Sequence, residues 1–407
     1  MIKVKNVIYK AKRLFHVFSK CRCFIVALLV TMTTFLLTDY LKFYLQNESS
    51  FSKSFKSADY ILFDCYESVE AENPVGVINP NVVIIQDDEC NRLQLAALIK
   101  TVDKFSPLSI GIDHIFVESQ PYDTVLVNAI NKCASPIVMA SNICFDTEYQ
   151  KYTSVSHCAI YDRIRNASWG ITNLGEPSAT PQNIIRRFNK TYTTEDGAEM
   201  NSFAYELACR SGLYSANDNN FNASSFISYR GLTTDIIEWK DVLRINDSIN
   251  TPEIDSFKEN IQGKIVLIGS TRDSGDMHLI PSEKAISGIE IHAASIYTLV
   301  NNKYISETPA WINNAIAFIF VYLFSLLLYY ASQNLSRIGN LCVRIVQSLF
   351  IILFIIIGYA FYRNEHNPIY IDFSSSILMI GISSFVFDIL RGVYGLLLSL
   401  RNHQKKI

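Results

Sequence analysis

The sequence has little glycine and proline, few charges and no recognised catalytic motif. Its 407 residues include 16 Gly and 11 Pro, and 18% of them are charged against 49% hydrophobic. These proportions exclude a disordered or collagen-like protein, and the length allows more than one structural unit. A Gly-x-Ser-x-Gly elbow, a His-Glu-x-x-His motif and a locally supported Cys–His nucleophile pair are all missing. We therefore expect no catalytic residues and no enzyme activity.

The middle of the sequence also lacks basic clusters. Residues 1–22 carry seven Lys/Arg and residues 391–407 carry four, without an acidic residue in either segment. Removing these eleven positive charges from the formal net charge of −2 leaves about −13 for the rest of the chain. A nucleic-acid-binding domain has its basic residues on a folded surface, whereas these flank apolar runs. We expect a lipid bilayer as a partner, and no nucleic acid.

Four apolar runs are long enough to cross a membrane as helices, which requires roughly 20 residues. They lie at residues 21–41, 311–331, 341–361 and 369–390. The first could be an uncleaved anchor or a cleaved signal peptide. Its long basic lead and the lack of a small-residue cleavage signal favour the anchor.

The Lys/Arg distribution predicts the orientation of these spans. Residues 1–20 are expected in the cytoplasm, residues 46–305 outside it, and residues 391–407 in the cytoplasm again. We predict a multi-pass protein of the inner or plasma membrane with both termini cytoplasmic. Asp388 and Arg391, three positions apart, are expected to pair on one helix face.

The predicted external segment contains short, continuous apolar runs that are each followed by polar residues. These runs are residues 82–85, 108–112, 137–140 and 265–268. Helical spacing in residues 93–105 and 123–130 alternates with the first three runs. The pattern predicts an α/β fold with a mainly parallel sheet and helices on both faces.

Polar residues at the ends of the predicted strands are candidates for binding a ligand, because ligands bind beyond the carboxyl ends of strands in open α/β sheets. These residues are Asp87, Asp88, Asp113, Ser270 and Thr271. The three aspartates could hold a hard cation such as Mg²⁺ or Ca²⁺, or a cationic ligand. Alternatively, each could cap the following helix or turn.

A second set of candidates combines two histidines with acidic residues. His278 and His292 lie near Asp276 and Glu290, which could form a metal-binding or pH-responsive cluster. The alternative is structural: Asp276 orders a tight turn after Gly275, and His292 packs where a helix begins. The residues identify no particular metal or cofactor.

Six cysteines fall in the predicted external segment: Cys65, Cys90, Cys133, Cys144, Cys158 and Cys209. An even number in an oxidising compartment permits three disulfides, in fifteen possible pairings. Free buried thiols are the alternative, because a domain of this size does not need crosslinks. The spacing fits no zinc pattern.

Five short segments follow one another in an order that is typical of a known family. Two of them lie in the first half of the predicted external segment, at residues 81–88 (NVVIIQDD) and 110–116 (IGIDHIF). Three lie near its end, at residues 263–270 (GKIVLIGS), 275–281 (GDMHLIP) and 288–293 (GIEIHA). Together they resemble a CHASE2 domain, which is usually preceded by an anchor and followed by three membrane helices. One departure is that the family's aromatic-Pro-Trp-Arg stretch is replaced here by ECNR.

The resemblance implies an extracytoplasmic sensory domain, normally followed by a cytoplasmic histidine kinase, nucleotide cyclase or serine/threonine kinase. Because seven residues follow Leu400, we expect no output domain in this sequence. We expect a sensor that detects an unidentified small-molecule or protein signal and passes it through its membrane helices to a separate signalling protein. The alternatives are an accessory or scaffolding subunit that docks another envelope protein, and an external metal-dependent hydrolase.

Overall fold

The computed structural model describes residues 23–40, 60–72, 77–146, 148, 151–156, 159–174, 184–215, 224–230, 232–247, 251–334, 337–364 and 367–404. The chain divides into two compact units. The α/β unit comprises Asp64–Ser306 and Glu365–Pro368. The helical unit comprises Met1–Phe63, Glu307–Asn364 and Ile369–Ile407. Cys158 and the basic N-terminus lie outside the described residues.

The helices and strands are numbered in chain order. The strands are β1 (Val77–Gln86), β2 (Ser109–Ile112), β3 (Ile137–Asp146), β4 (Lys151–Ser156), β5 (Ala167–Ile171), β6 (Arg187–Asn189), β7 (Thr191–Thr193), β8 (Glu199–Asn201), β9 (Ser224–Phe226), β10 (Leu232–Glu238), β11 (Ile265–Gly269), β12 (Met277–Leu279), β13 (Ala285–Ser287), β14 (Ser306–Glu307) and β15 (Ile369–Tyr370). The helices are α1 (Cys23–Tyr40), α2 (Ile61–Glu72), α3 (Arg92–Asp103), α4 (Asp123–Lys132), α5 (Phe203–Arg210), α6 (Trp239–Asp247), α7 (Thr251–Ile261), α8 (Gly288–Val300), α9 (Ala310–Asn334), α10 (Arg337–Tyr362) and α11 (Ser374–Gln404).

The α/β unit is built on a seven-stranded sheet in the order β10-β1-β11-β2-β3-β4, with β5 also paired to β3. All of these pairings are parallel except that of β3 with β4. The predicted α/β fold with a mainly parallel sheet is confirmed. Strands β1, β2 and β3 follow one another in sequence with helices between them, but β11 lies between β1 and β2. The centre of the sheet is therefore completed by a strand from late in the chain.

Helices cover both faces of this sheet, as the continuous apolar runs predict. Successive side chains of a strand point to opposite faces, so a strand buried on both sides needs apolar residues throughout. Val83 and Ile85 pack with α3, α4, α6 and α7 on one face. Val82 and Ile84 pack with α5 and α8 on the other. All four side chains are fully buried.

Helix α5 lies very close to the sheet because two strand positions have no side chain. A Cβ atom at Gly170 would lie 2.5 Å from the Phe203 Cα atom, in the first turn of α5. One at Gly111 would lie 2.7 Å from the end of the Leu207 side chain. The Ser202 hydroxyl accepts the Tyr205 N–H at 3.3 Å and so begins α5 directly opposite these positions.

The helical unit contains four helices that are long and apolar enough to cross a membrane. These segments are Cys23–Tyr40, Ala310–Gln333, Leu341–Tyr362 and Ser374–Leu397. One N-terminal and three C-terminal spans confirm the predicted arrangement. The last helix begins at Ser374, whose N–H donates a hydrogen bond to the Asp372 carboxylate at 3.0 Å, and residues 369–370 before it form a short strand. It then continues to Gln404 through the apolar residues that follow Arg391.

Polar side chains in this unit bond to partners on neighbouring helices. The Arg344 guanidinium of α10 donates to the Asp388 carboxylate of α11. One turn further along α10, Gln347 donates to the Ile380 carbonyl and, at 3.3 Å, to the Ser383 hydroxyl. Asp388 is therefore paired between helices, where the sequence suggested a pair with Arg391 on the same helix. Pairing of this kind is how polar groups are accommodated in a lipid environment.

Candidate functional site

The parallel strands of the α/β unit end together at one edge of the sheet, which we call the carboxyl edge. Gln86 is in register with Gly269, and Ile268 is in register with Ile112. The residues that follow β1, β11 and β2 therefore start at the same level. Because β11 separates the other two strands, Asp87 and Asp113 do not extend from neighbouring strands. This edge lies where successive strands change order, which is the usual ligand position in such sheets.

A contact between Asp87 and His114 connects the ends of β1 and β2 across the intervening strand β11. His114 Nε2 lies 2.5 Å from Asp87 Oδ2, and the Asp87 side chain is 1% exposed whereas that of His114 is 32% exposed. Burial alone lowers the pKa of His114, but its hydrogen bond to Asp87 and the charges of Asp87 and Asp113 raise that pKa above its ordinary value. The second carboxylate oxygen of Asp87, Oδ1, is buried and has no hydrogen-bond partner among the described residues.

Asp88 belongs to a separate network on the β10 side of the carboxyl edge. Its carboxylate accepts hydrogen bonds from the Ser270 hydroxyl and, at 2.7 Å, from the Gln86 amide. Its carbonyl accepts the Trp239 indole N–H at 3.1 Å. The Thr271 hydroxyl donates to the Gln86 side-chain oxygen at 2.5 Å. The structure thus connects Ser270 to Asp88 directly and Thr271 to Asp88 through Gln86.

A cavity of about 470 Å³ opens between the ends of β2, β3, β5 and β11 and the start of α8. Most of its lining is polar or ionisable. The residues are Asp113, His114, Ile115, Asn142, Thr172, Asn173, Leu174, Ser270, Asp273, Asp276, His278, Gly288 and His292. Five of the nine sequence candidates line it: Asp113, Ser270, Asp276, His278 and His292. This volume suits a small molecule.

Gly288 explains why Asp276 reaches the start of α8. A Cβ atom at Gly288 would lie 2.5 Å from Asp276 Oδ2, so any side chain there would displace the carboxylate. Asp276 Oδ1 also lies 3.1 Å from His278 Nε2. A carboxylate is stabilised electrostatically at a helix N-terminus, where the helix dipole is positive. The two sequence segments GDMHLIP and GIEIHA therefore contact each other at the start of α8.

Two residues of the cavity have strongly shifted pKa values. Burial, together with the charges of Asp276 and Asp87, raises the pKa of Asp113 to about 7, and the charge of His114 opposes this rise. Burial lowers the pKa of His292 to about 4. His292 is 4% exposed and packs edge-on against the Phe203 ring. Groups with shifted pKa values in a cleft mark candidate functional sites.

Glu290 has a different role from the other candidates. Its carboxylate accepts the Ser287 N–H at 2.9 Å and the Ser287 hydroxyl at 2.7 Å, and so stabilises the first turn of α8. It does not line the cavity. Among the described residues, no group of three or more His, Cys, Asp and Glu side chains converges to hold a metal ion.

The described cysteines of the α/β unit are free thiols. They are Cys65, Cys90, Cys133, Cys144 and Cys209. Burial raises the pKa of Cys90 to about 12, and nearby Asp87 contributes. Burial likewise raises the pKa of Cys133 to about 12, with Asp103 contributing. These two thiols are therefore protonated and unreactive at neutral pH.

Several residues of the cavity were not among the sequence candidates. His114 follows Asp113 directly in the segment IGIDHIF, so its position beside a strand end was already visible. Asn142 and Thr172 follow the parallel parts of β3 and β5, and the Thr172 hydroxyl donates to Asn142 Oδ1 at 3.1 Å. Asn142 could have been found from its place after the apolar run 137–140. Thr172 could not, because β5 has no comparable run.

A family model for the CHASE2 domain matches residues 49–329. The chain belongs to the CHASE2 family. The predicted resemblance is thereby confirmed over more than half of the chain, including the carboxyl edge and the cavity. CHASE2 is an extracellular sensory domain rather than a catalytic one. With the four apolar helices, this makes the chain a membrane protein with an extracytoplasmic domain. No curated protein and no solved structure matches the chain.

Proposed function

We propose that this CHASE2 protein is a membrane receptor that binds a small polar signal in the cavity at the carboxyl edge. The observation that supports this most directly is the half-buried Asp113 carboxylate, which lines the cavity and has no hydrogen bond to any described residue. A bound signal would supply the missing donor. Its binding would shift the domain between two arrangements only by its differential affinity for them.

The signal would then pass through the membrane helices to a separate protein. The polar bonds between α10 and α11 support this step, because they fix the register of two helices that could repack as a unit. A shift of such helices would be sensed by contacts with a cytoplasmic signalling protein. Both termini are proposed to lie in the cytoplasm, following the basic clusters at the two ends of the sequence.

A thermal-shift screen of the full-length chain in detergent tests the receptor proposal. The panel would contain amino acids, sugars, nucleotides, organic acids, diamines, Mg²⁺ and Ca²⁺. We expect at least one compound to raise the unfolding temperature of the α/β unit, since ligands that bind the native state stabilise it. Unfolding is followed by tryptophan emission, to which Trp169 and Trp239 contribute from the α/β unit and Trp311 from the helical unit.

Asp113→Asn and Asp255→Asn variants locate any effect that the screen finds. A compound bound in the cavity should lose its effect in Asp113→Asn and keep it in Asp255→Asn, because Asp255 is exposed on α7 and does not line the cavity. A screen without any shift, together with a specific envelope protein crosslinked to the chain in native membranes, would instead support the accessory-subunit alternative.

The orientation can be checked with a native thiol. Cys144 is an exposed free cysteine of the α/β unit, so a membrane-impermeant maleimide should label it in intact cells. A cysteine introduced by Asn402→Cys near the C-terminus should be labelled after permeabilisation only. Peptide mass spectrometry assigns each label to its residue. Labelling of Asn402→Cys in intact cells, with Cys144 protected until permeabilisation, would contradict the proposed orientation.

A further inference from the structure

The cavity at the carboxyl edge is strongly acidic, which limits the chemistry of its ligand. Asp113, Asp273 and Asp276 line it, and none of the described lining residues is Lys or Arg. His292 adds no positive charge at neutral pH, because burial lowers its pKa to about 4. The raised pKa of His114 favours a positive charge there, but this charge is already paired with the buried Asp87 carboxylate. An anionic ligand would therefore meet the negative charges of the remaining carboxylates, whereas a cationic ligand would be attracted.

The carboxylates differ in whether the protein already satisfies them. Asp273 accepts the Gly275 N–H at 2.8 Å within its own turn, and Asp276 lies 3.1 Å from His278. The Asp113 side chain has no hydrogen bond to any residue in the described part of the chain. The site therefore has unused hydrogen-bond acceptors and few unused donors.

The arrangement of these acceptors favours an organic cation over a metal ion. A bound metal needs several ligands that converge on one point, and the described residues contain no such group of three or more. An ammonium group instead needs separate acceptors around its N–H bonds. Asn142 and Thr172, which also line the cavity, can bond a second polar group of the same molecule. The cavity volume of about 470 Å³ accommodates a small molecule.

We propose that the cavity binds a small organic cation whose ammonium N–H groups donate hydrogen bonds to the carboxylates of Asp113 and Asp276. This inference rests on the proposed receptor function and names the ligand class of that site. It also implies competition between the ligand and protons at Asp113, which is surrounded by the charged groups of Asp87, His114 and Asp276. Protonation of Asp113 removes the charge that attracts the ammonium group.

Isothermal titration of the full-length chain in detergent with 1,4-diaminobutane tests the proposal. The matched control ligand is 1,4-butanediol, which has a similar length and no charge, and MgCl₂ tests the metal alternative. We expect saturable binding of the diamine, and none of the diol or Mg²⁺ at the same concentrations. Affinity for the diamine should be roughly tenfold higher at about pH 8 than at about pH 5.5, because Asp113 ionises between these values.

Three variants locate the binding. Asp113→Asn should lose most of the affinity and its pH dependence, and Asp276→Asn should weaken binding roughly tenfold, as loss of a charge-assisted hydrogen bond does. Asp255→Asn removes the same charge from the surface of α7 and should bind like the parent. Circular dichroism of each variant identifies any that fails to fold, and the Asp255→Asn and diol comparisons remain valid in that case.

Different results would overturn the organic-cation proposal and the receptor function. Absent diamine binding, binding of the diol with equal affinity, saturable Mg²⁺ binding, or diamine binding unaffected by Asp113→Asn and Asp276→Asn would each overturn the organic-cation proposal. If another compound of the screen stabilised the parent and not Asp113→Asn, the receptor function would stand although the organic-cation proposal had failed. If no compound did so, the receptor function would fail as well.

Discussion

Asp113→Asn is expected to stabilise the α/β unit by about 2 kcal/mol at about pH 8 and to have little effect at about pH 4. Burial and the neighbouring charges raise the pKa of Asp113 from 3.8 to about 7. The native state therefore binds the proton more tightly than the unfolded state, and stability is lost as the pH rises from about 4 to about 7. Asparagine has a similar shape and carries no charge, so it avoids this loss.

The size of this effect follows from the pKa shift. A rise in pKa from 3.8 to about 7 corresponds to at most about 4 kcal/mol, and partial solvent exposure of Asp113 reduces the expected value to about half. For a unit of this size, the unfolding temperature should rise by roughly 5 °C. Tryptophan emission during heating of the full-length chain at both pH values measures the change. Asp255→Asn is the control, and equal effects of the two variants at pH 8 would contradict the argument.

Stabilisation by this variant would separate binding from folding at the same residue. An ionised carboxylate without a hydrogen-bond partner costs stability, and proteins retain such groups mainly where they bind or react. A ligand that pairs with Asp113 would recover part of this cost on binding. The same substitution should therefore raise stability and remove most of the affinity for the proposed ligand, a combination that a purely structural residue would not give.

Gly170→Ala is expected to destabilise the α/β unit by about 3 kcal/mol, the upper end of the usual cost of overpacking. The added methyl group would lie 2.5 Å from Phe203 Cα and 3.0 Å from Phe203 N. These are backbone atoms in the first turn of α5, so no side-chain rotation can relieve the clash. Either β5 or α5 must move, and Leu207 would then pack less tightly on the sheet. The unfolding temperature should fall by roughly 8 °C.

Gly111→Ala provides the matched comparison. It places a methyl group 2.7 Å from Leu207 Cδ1, 2.9 Å from Leu267 Cδ2 and 2.9 Å from Phe203 Cζ. All three are terminal atoms of side chains that can shift, so we expect a loss of about 1 kcal/mol. Both substitutions add the same group to a strand of the same sheet. Equal losses, or a larger loss for Gly111→Ala, would show that the position of α5 does not depend on Gly170.

The fold could be predicted well from sequence because its main determinants are local. Runs such as VVII are typical of strands that are buried on both faces, and Val82 to Ile85 do alternate between the two helical layers. The membrane helices follow from length and hydropathy in the same way. The order of the strands in the sheet could not be predicted from local sequence in this way. Nothing in residues 265–269 alone indicates that β11 enters between β1 and β2, because this depends on pairing over a long sequence separation.

The same distinction applies to the site. Placement of Asp87, Asp88 and Asp113 at strand ends follows from the sequence, but their partners do not. Asp87 and Asp88 are adjacent, and the chain turns so that one bonds to His114 and the other to Ser270. Glu290 lies in a motif with His292, yet its carboxylate bonds to Ser287 and only His292 lines the cavity. Side-chain directions of this kind depend on tertiary packing.

The late position of β11 in the chain also has a consequence for biogenesis. A polypeptide that is exported from its N-terminus releases β1 and β2 long before β11, and these two strands flank β11 directly in the finished sheet. Until β11 arrives, each exposes an unpaired edge, and unpaired edges promote aggregation. Completion of the sheet therefore waits until residue 269 has crossed the bilayer. Segments α9 to α11 are inserted only after that, so the folded α/β unit can form before the membrane helices assemble.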